Sequence, residues 1–270
     1  MKKVAFITLG CKVNQYETNA MIQKLSEKYE IVNADDIADI YVINTCTVTN
    51  MSDRKSRQLL RRCKELNKNA FIIAVGCYAE VSKEEIEQIK EVDLVLGNKQ
   101  KKDIGLYIDC LVENKEIIEK ENNKVDNSNN KIGTYTEFGT VTYTEKTRAV
   151  IKVQDGCNNF CSYCIIPYAR GRIASRSKEN VLNEITEIAK QGIKEVVITG
   201  IHVASYGKDL ENGYRLIDLL EDINKISGIE RIRLGSVEPT LITDEFCERL
   251  EKLNKICHHF HLSLQSGCDK

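Results

Sequence analysis

VAFITLGC, residues 4–11, is an unbroken β-rich run that ends in a cysteine, and the same plan returns as DIYVINTC at 39–46 and AFIIAVGC at 70–77. The runs are continuous rather than alternating, as expected of parallel strands buried on both faces. Helical patterns follow each run, over Glu17–Tyr29, Ser52–Leu66 and Lys83–Lys90, the last opened by a Ser82/Glu85 capping box. VDLVLG closes the series at Gly97. Strand–helix alternation of this kind predicts an α/β fold with an open parallel sheet, whose ligands sit outside the carboxyl ends of the strands. Cys11, Cys46 and Cys77 all fall at those ends, so they can converge although 35 and 31 residues separate them. One such cysteine reads as a small hydrophobe at a strand end. Three in equivalent positions point to a metal site. Cys63, Cys110, Cys247, Cys257 and Cys268 lack this regularity and are expected to be buried thiols.

The texture changes at VENKEIIEKENNKVDNSNNK, residues 112–131, which is charged, Asn-rich and without apolar period. It predicts a domain over 1–111, a linker over 112–133 and a second domain over 134–270. The Thr/Tyr-rich run from Thr134 to Thr144 reads as β-like. From Arg148 a second alternation begins: AVIKVQ, a helix over Asn180–Gln191, EVVIT at 195–199, a helix over Leu216–Ile226, a strand over Arg231–Leu234, a helix over Asp244–Leu253 and a strand over Phe260–Leu264. Four βα-type repeats, the last without its helix, predict a partial TIM-like barrel with its chemistry at the carboxyl ends of the strands. Thr199–Gly200, Ser236–Glu238 and Ser263–Gln265 stand at such ends.

Another such end carries GCNNFCSYCIIP, residues 156–167, in which Cys157, Cys161 and Cys164 are spaced C-x3-C-x2-C. A structural zinc site is closed by four protein ligands and a [4Fe–4S] cluster by four thiolates. Three thiolates leave one metal position open, where a substrate or cofactor binds. Composition narrows the setting. Lys+Arg is 39 against Asp+Glu 40, so no overall charge advertises nucleic-acid binding. No run reaches the roughly 18 apolar residues of a membrane helix, and no membrane partner is expected. MKKVAFITLGC imitates a lipoprotein signal, but Val4–Leu9 is shorter than the roughly 7–15 residues of an h-region. The expected setting is cytoplasmic. In that reducing compartment the 11 cysteines are metal-binding or catalytic rather than disulfide-bonded.

C-x3-C-x2-C after a first barrel strand resembles the radical S-adenosylmethionine enzymes. With the N-terminal triplet, and with LGCKVNQYE, INTCTVT, VGCYAE, QDGCNNFCSYCIIPYARG, ITGIHVASYG, RLGSVEP and HLSLQSG, the chain resembles the methylthiotransferases from end to end. Lys12-Val13-Asn14-Gln15 after the first cysteine is similar to the branch that converts N6-threonylcarbamoyladenosine, 3′ of the tRNA anticodon, to its 2-methylthio form. The resemblance implies that Cys157, Cys161 and Cys164 hold a [4Fe–4S] cluster whose fourth iron takes S-adenosylmethionine. It implies that Cys11, Cys46 and Cys77 hold a second, auxiliary [4Fe–4S] cluster bearing the sulfur to be inserted. Tyr163 would lie beside the adenine ring, or else pack in a core. Thr199 and Gly200 would bind the methionine moiety, and Ser236, Glu238 and Gln265 the ribose and methionine. No side chain is assigned as catalytic, because an unactivated C–H bond is the cofactor's task. The implied partners are tRNA and a low-potential electron donor such as a flavodoxin or ferredoxin. Relatives continue into further barrel strands and a C-terminal RNA-binding β-barrel. Neither follows Lys270, so the chain reads as truncated and its tRNA complex as weak.

The same residues admit other readings. A non-catalytic iron–sulfur sensor or scaffold would hold the same clusters, and a sister enzyme would act on another tRNA base or a ribosomal protein. CHHFH (257–261) imitates zinc ligands but lacks a C-x2-C partner. DRKSRQLLRRCK (53–64) carries six basic residues and one acidic, on a solvated face or against an RNA backbone. Arg170, Arg172, Arg176 and Lys178 read as a basic patch for RNA phosphate or for the S-adenosylmethionine carboxylate.

Overall fold

The computed structural model describes residues 1–113, 115, 133–144 and 147–268, and the linker expected at 112–133 lies almost wholly outside the described residues. The chain divides into two compact units, Met1–Ser128 with Asn159–Gly171, and Asn129–Asn158 with Arg172–Lys270.

The first unit is built on β1 (Lys3–Thr8), β2 (Glu30–Val32), β3 (Ile40–Thr45), β4 (Phe71–Gly76) and β5 (Leu94–Leu96), ordered β2-β1-β3-β4-β5. Every pairing is parallel. Helices α1 (Lys12–Leu25), α2 (Asn50–Leu66), α3 (Cys77–Val81), α4 (Lys83–Glu87), α5 (Ile104–Val112) and α6 (Ile166–Arg170) complete it. β3 is buried along its whole length because successive side chains feed opposite layers. Tyr41 and Ile43 pack with Leu60, Tyr78 and Ile86 on one face, while Ile40 and Val42 pack with Met21, Leu25 and Ile108 on the other. The chain leaves β1 for β2 on one side and then returns to place β3 on the other. The order therefore reverses between β1 and β3, and their carboxyl ends flank the crevice where such sheets bind ligands.

The helix boundaries differ from the sequence reading by a few residues. The first helix begins at Lys12, not Glu17, since Val13 and Tyr16 already bury an apolar face directly after Cys11. The Ser82/Glu85 capping box does not form. Ser82 makes no side-chain cap bond, its N–H is taken by the Tyr78 carbonyl at 2.9 Å, and Glu85 instead pairs with Arg57 at 2.9 Å.

In the second unit, β6 (Ala149–Asp155), β8 (Glu195–Gly200) and β9 (Arg231–Leu234) run parallel, with β7 (Ala174–Ser175) antiparallel on the outer edge of β6. β10 (Ser236–Val237) pairs in parallel with β11 (His261–Leu262). α7 (Lys178–Lys190), α8 (Leu216–Asn224) and α9 (Asp244–Glu251) alternate with these strands, and Val181, Ile185, Leu219, Leu220 and Phe246 seal one core against them. This is the βα progression of an incomplete barrel. The last strand is only His261–Leu262, shorter than the Phe260–Leu264 read from sequence.

The run Thr134–Thr144 forms no strand. Its polar groups are met by side chains and carbonyls of the unit rather than by a ladder. Tyr135 Oη donates to the Lys152 carbonyl at 2.8 Å, Val141 N–H donates to Glu184 Oε2 at 2.9 Å, and the Gly139 carbonyl accepts from Arg176 Nη2 at 3.1 Å. Arg176 is buried between Glu184 at 3.0 Å and Glu137 at 2.7 Å. Glu184→Ala strips a buried cation of its most buried partner and leaves the Val141 N–H unpaired. Equilibrium urea unfolding should show a loss of about 3–5 kcal/mol, whereas Lys190→Ala, on an exposed ion pair, should cost about 0–1 kcal/mol.

Candidate metal centre

Cys11 is the N-cap of α1, with φ −96° and ψ 175°, so it stands at the start of a 14-residue helix. Cys46 follows β3 and Cys77 opens α3 directly after β4. The carboxyl ends are tied together by a buried asparagine. Asn14 Nδ2 donates to the Leu9 carbonyl at 2.8 Å and the Thr45 carbonyl at 3.0 Å, while Asn44 Nδ2 donates to the Asn14 carbonyl at 3.0 Å. Thr45 Oγ1 donates to the Val75 carbonyl at 2.7 Å, drawing the end of β4 alongside. Gly10, at φ +92°, lets the turn before Cys11 pass close to Cys46: a Cβ on Gly10 would stand 2.7 Å from the Cys46 sulfur. Cys11 lies near enough to Cys77 to add to the cost of ionising the Cys77 thiol.

Cys77 is wholly buried, and burial pushes its thiol up, against the pull of the Arg170 and Lys101 cations. Arg170 Nε lies 3.1 Å from its sulfur, and Asn98 Nδ2 lies 3.9 Å away. Among the described residues, no three His, Cys, Asp or Glu side chains are grouped to hold a single ion. The donor chemistry fits an iron–sulfur cluster, in which each thiolate takes a different iron, rather than one ion with ligands at about 2.3 Å from a common centre.

The second triplet lies on the loop after β6. Cys157 is half-buried, Cys161 exposed and Cys164 half-buried. The Cys164 N–H donates to the Cys161 carbonyl at 2.9 Å. Tyr163 is 77% exposed, which removes the core-packing reading. In the second unit, Thr199 is buried and Gly200 packs on Gln154: a Cβ at Gly200 would fall 2.7 Å from Gln154 Oε1. Gln154 Oε1 also accepts from the His202 N–H at 2.7 Å, and His202 Nε2 meets Glu238 Oε2 at 2.7 Å. Gly200 and Glu238 are therefore brought together at the carboxyl ends of β8 and β10 through Gln154 and His202, which sequence reasoning did not single out. Ser236 is exposed, with Oγ 2.9 Å from His261 Nδ1. Gln265 is exposed beyond β11 with φ +66°.

Two expectations are corrected. Arg170 and Arg176 do not form a surface patch: both side chains are buried in ion pairs, since a guanidinium with two or more acceptors can leave water. Lys178 is half-buried, its Nζ 5.0 Å above the Tyr214 ring. Of the irregular cysteines only Cys63 is buried, with its thiol pushed up to about 11 by burial; Cys247 and Cys268 are exposed, on the rim of α9 and after the last strand, and Cys110 and Cys257 are intermediate. On α2, Arg57, Arg62 and Lys64 are engaged by Glu85, Asp35 and Asp93, while Arg54, Lys55 and Arg61 are exposed.

Residues 3–97 match the model of the Uncharacterized protein family UPF0004, and residues 151–270 match the Radical SAM superfamily. The chain is 44% identical over 269 residues to a threonylcarbamoyladenosine tRNA methylthiotransferase of Bacillus subtilis, covering 99% of this chain and 58% of that protein. A namesake from Aquifex aeolicus is 43% identical, with 99% and 64% covered. This chain belongs to the radical S-adenosylmethionine methylthiotransferase family. A ribosomal protein uS12 methylthiotransferase of Clostridium novyi is 36% identical, with 97% and 58% covered. The chain thus spans about three fifths of the length of the curated relatives it matches. The radical S-adenosylmethionine methyltransferase TsrM of Kitasatospora setae shares the fold, with a TM-score of 0.61 at 16% identity over 97% of this chain and 59% of its own. S-adenosylmethionine and [4Fe–4S] clusters are the cofactors of this family. No helix among the described residues is long and apolar enough to cross a membrane.

Gly10→Ala forces a left-handed residue and a collision with Cys46. Gly139→Ala meets the same kind of backbone, φ +85°, in open space. Both should lose about 1–3 kcal/mol from strain, and urea unfolding should show the larger loss for Gly10→Ala.

Proposed function

We propose that the chain is the catalytic part of an enzyme that adds a 2-methylthio group to N6-threonylcarbamoyladenosine beside the tRNA anticodon, in the cytoplasm, with electrons from a flavodoxin- or ferredoxin-like donor. The observation that carries the reading is the 44% identity to a threonylcarbamoyladenosine tRNA methylthiotransferase along 99% of the chain. The three cysteines at the carboxyl ends of β1, β3 and β4 support it. Cys157, Cys161 and Cys164 would hold the cluster that takes S-adenosylmethionine, and Cys11, Cys46 and Cys77 the auxiliary cluster.

When bound, these groups supply homolytic chemistry, a sulfur and a methyl group, which side chains cannot provide at an unactivated aromatic C–H. The chain's own residues bind and orient. Thr199, together with Gly200 and Glu238 braced by Gln154 and His202, would hold the ribose and methionine ends of S-adenosylmethionine. Ser236 and Gln265 would stand at the rim of that site, and exposed Tyr163 would cover the adenine. Arg54, Lys55 and Arg61, on the helix that starts beyond Cys46, would meet RNA phosphates. With a net charge of −1, binding of tRNA by this chain alone should be weak and salt-sensitive.

Anaerobic reconstitution should load about eight iron per chain by cubane stoichiometry, and about four in Cys46→Ala or Cys157→Ala. Cys157→Ala should release no 5′-deoxyadenosine from S-adenosylmethionine, whereas Cys46→Ala should still release it and yield no methylthiolated nucleoside. A well-folded Cys46→Ala protein that made none would end this division of roles. Nucleoside analysis of tRNA from a deletion strain decides the substrate. Loss of the 2-methylthio derivative supports the proposal. Intact tRNA with an unmodified ribosomal protein uS12 would favour the activity named for the Clostridium novyi relative.

A further inference from the structure

Arg170 ends α6, six residues beyond Cys164, and its guanidinium has left water completely. Nη1 lies 2.5 Å from Glu17 Oε1, and Nη2 lies 2.5 Å from Asn14 Oδ1 and 3.2 Å from Glu17 Oε2. Nε lies 3.1 Å from the Cys77 sulfur. Lys101, equally buried in the turn Gln100–Asp103, holds the Glu17 carboxylate from the other side at 2.6 Å. The backbone that delivers Arg170 is fixed as well, because Asn98 Nδ2 donates to the Ala169 carbonyl at 2.7 Å. Burial of two cations around one carboxylate is expensive unless each donor finds an acceptor. Glu17 and Asn14 take the two ends of the fork, so the third edge, Nε–H, is aimed at sulfur with no freedom to turn away. A planar fork is suited to this task where a lysine is not.

We propose that Arg170 is a positioning residue for the auxiliary cluster: its Nε–H···S hydrogen bond orients Cys77 as a ligand and raises the reduction potential of the cluster held by Cys11, Cys46 and Cys77. The inference rests on the reading of those cysteines as ligands. Hydrogen bonds to sulfur and nearby charge are the protein's levers on such a potential. The reduced cluster carries one more negative charge than the oxidised one, so a donated hydrogen bond and a cation stabilise it and the potential rises. Glu17, being an anion one contact away, opposes that rise while it locks the guanidinium. A plain structural staple would have neither signed effect.

The test uses the full chain with Cys157→Ala, Cys161→Ala and Cys164→Ala, so that only the auxiliary cluster loads. It is reconstituted anaerobically and titrated with dithionite while the reduced cluster is followed by electron paramagnetic resonance. In this background Arg170→Gln should shift the midpoint potential down, Arg170→Lys should shift it down by less, and Glu17→Gln should shift it up. A loaded Arg170→Gln cluster at the background potential, or shifts of the same sign for Arg170→Gln and Glu17→Gln, would overturn the proposal. If Arg170→Gln takes up no iron, Arg170→Lys and Glu17→Gln decide by the same opposed signs. Failure of all three to fold or load makes Arg170 a staple only and also overturns it. If the background itself loads no iron, it is the assignment of the cysteines that fails instead.

Discussion

Parallel strands carry all their carboxyl ends to one edge, and in the first unit this constraint does most of the positioning. It places Cys11 after β1, Cys46 after β3 and Cys77 after β4 without any of the three needing a long loop. The reversal of strand order between β1 and β3 opens the crevice at that edge. Two fully apolar layers then make the edge rigid, since β3 contributes alternate residues to each. Asn14 and Thr45 finish the arrangement by satisfying carbonyls that the departing chain would leave unpaired.

The same constraint operates in the second unit on a different ligand chemistry. There the strand ends present polar rather than thiol groups: Gln154, His202 and Glu238, linked by contacts of 2.7 Å, with Thr199 buried at the end of β8. The contacts among Gln154, His202 and Glu238 restrict their rotamers. Glycine at 200 is what lets Gln154 approach.

Much of this was legible in the sequence, for identifiable reasons. Continuous apolar runs ending in cysteine specify both the buried parallel strand and a cysteine at its carboxyl end, so strand and cysteine position were read from the same residues. The C-x3-C-x2-C spacing is local and needs no fold to be seen. What was not legible was long-range pairing. Glu17, Lys101 and Arg170 are charged residues that sequence alone assigns to water, and their spacing of 84 and 153 residues carries no periodic signal. Arg176 was misread for the same reason, because its partners Glu137 and Glu184 lie across the unit. Thr134–Thr144 has β composition, yet side chains satisfy its backbone, so propensity lost to tertiary contacts. Cys247 and Cys268 show the converse: thiols have no obligation to be buried where no core reaches them.

The buried charge group also explains why polar residues were worth retaining beside an apolar core. Glu17, Lys101 and Arg170 sum to one positive charge, while the three cysteines, as the proposed ligands, would bring negative charge to the same edge. An uncompensated anionic site in a low-dielectric setting would be costly. A buried guanidinium that faces sulfur on one edge and carboxylate on the other offsets that cost and leaves the charge where it is needed. Lys101 alone would not serve as well, because burial lowers its proton affinity and its single ammonium is already committed to Glu17. Arginine stays charged in such surroundings and its donors have fixed directions. The excess of buried cation beside Cys77 would therefore match an anionic occupant, and the fork geometry determines which sulfur the guanidinium meets.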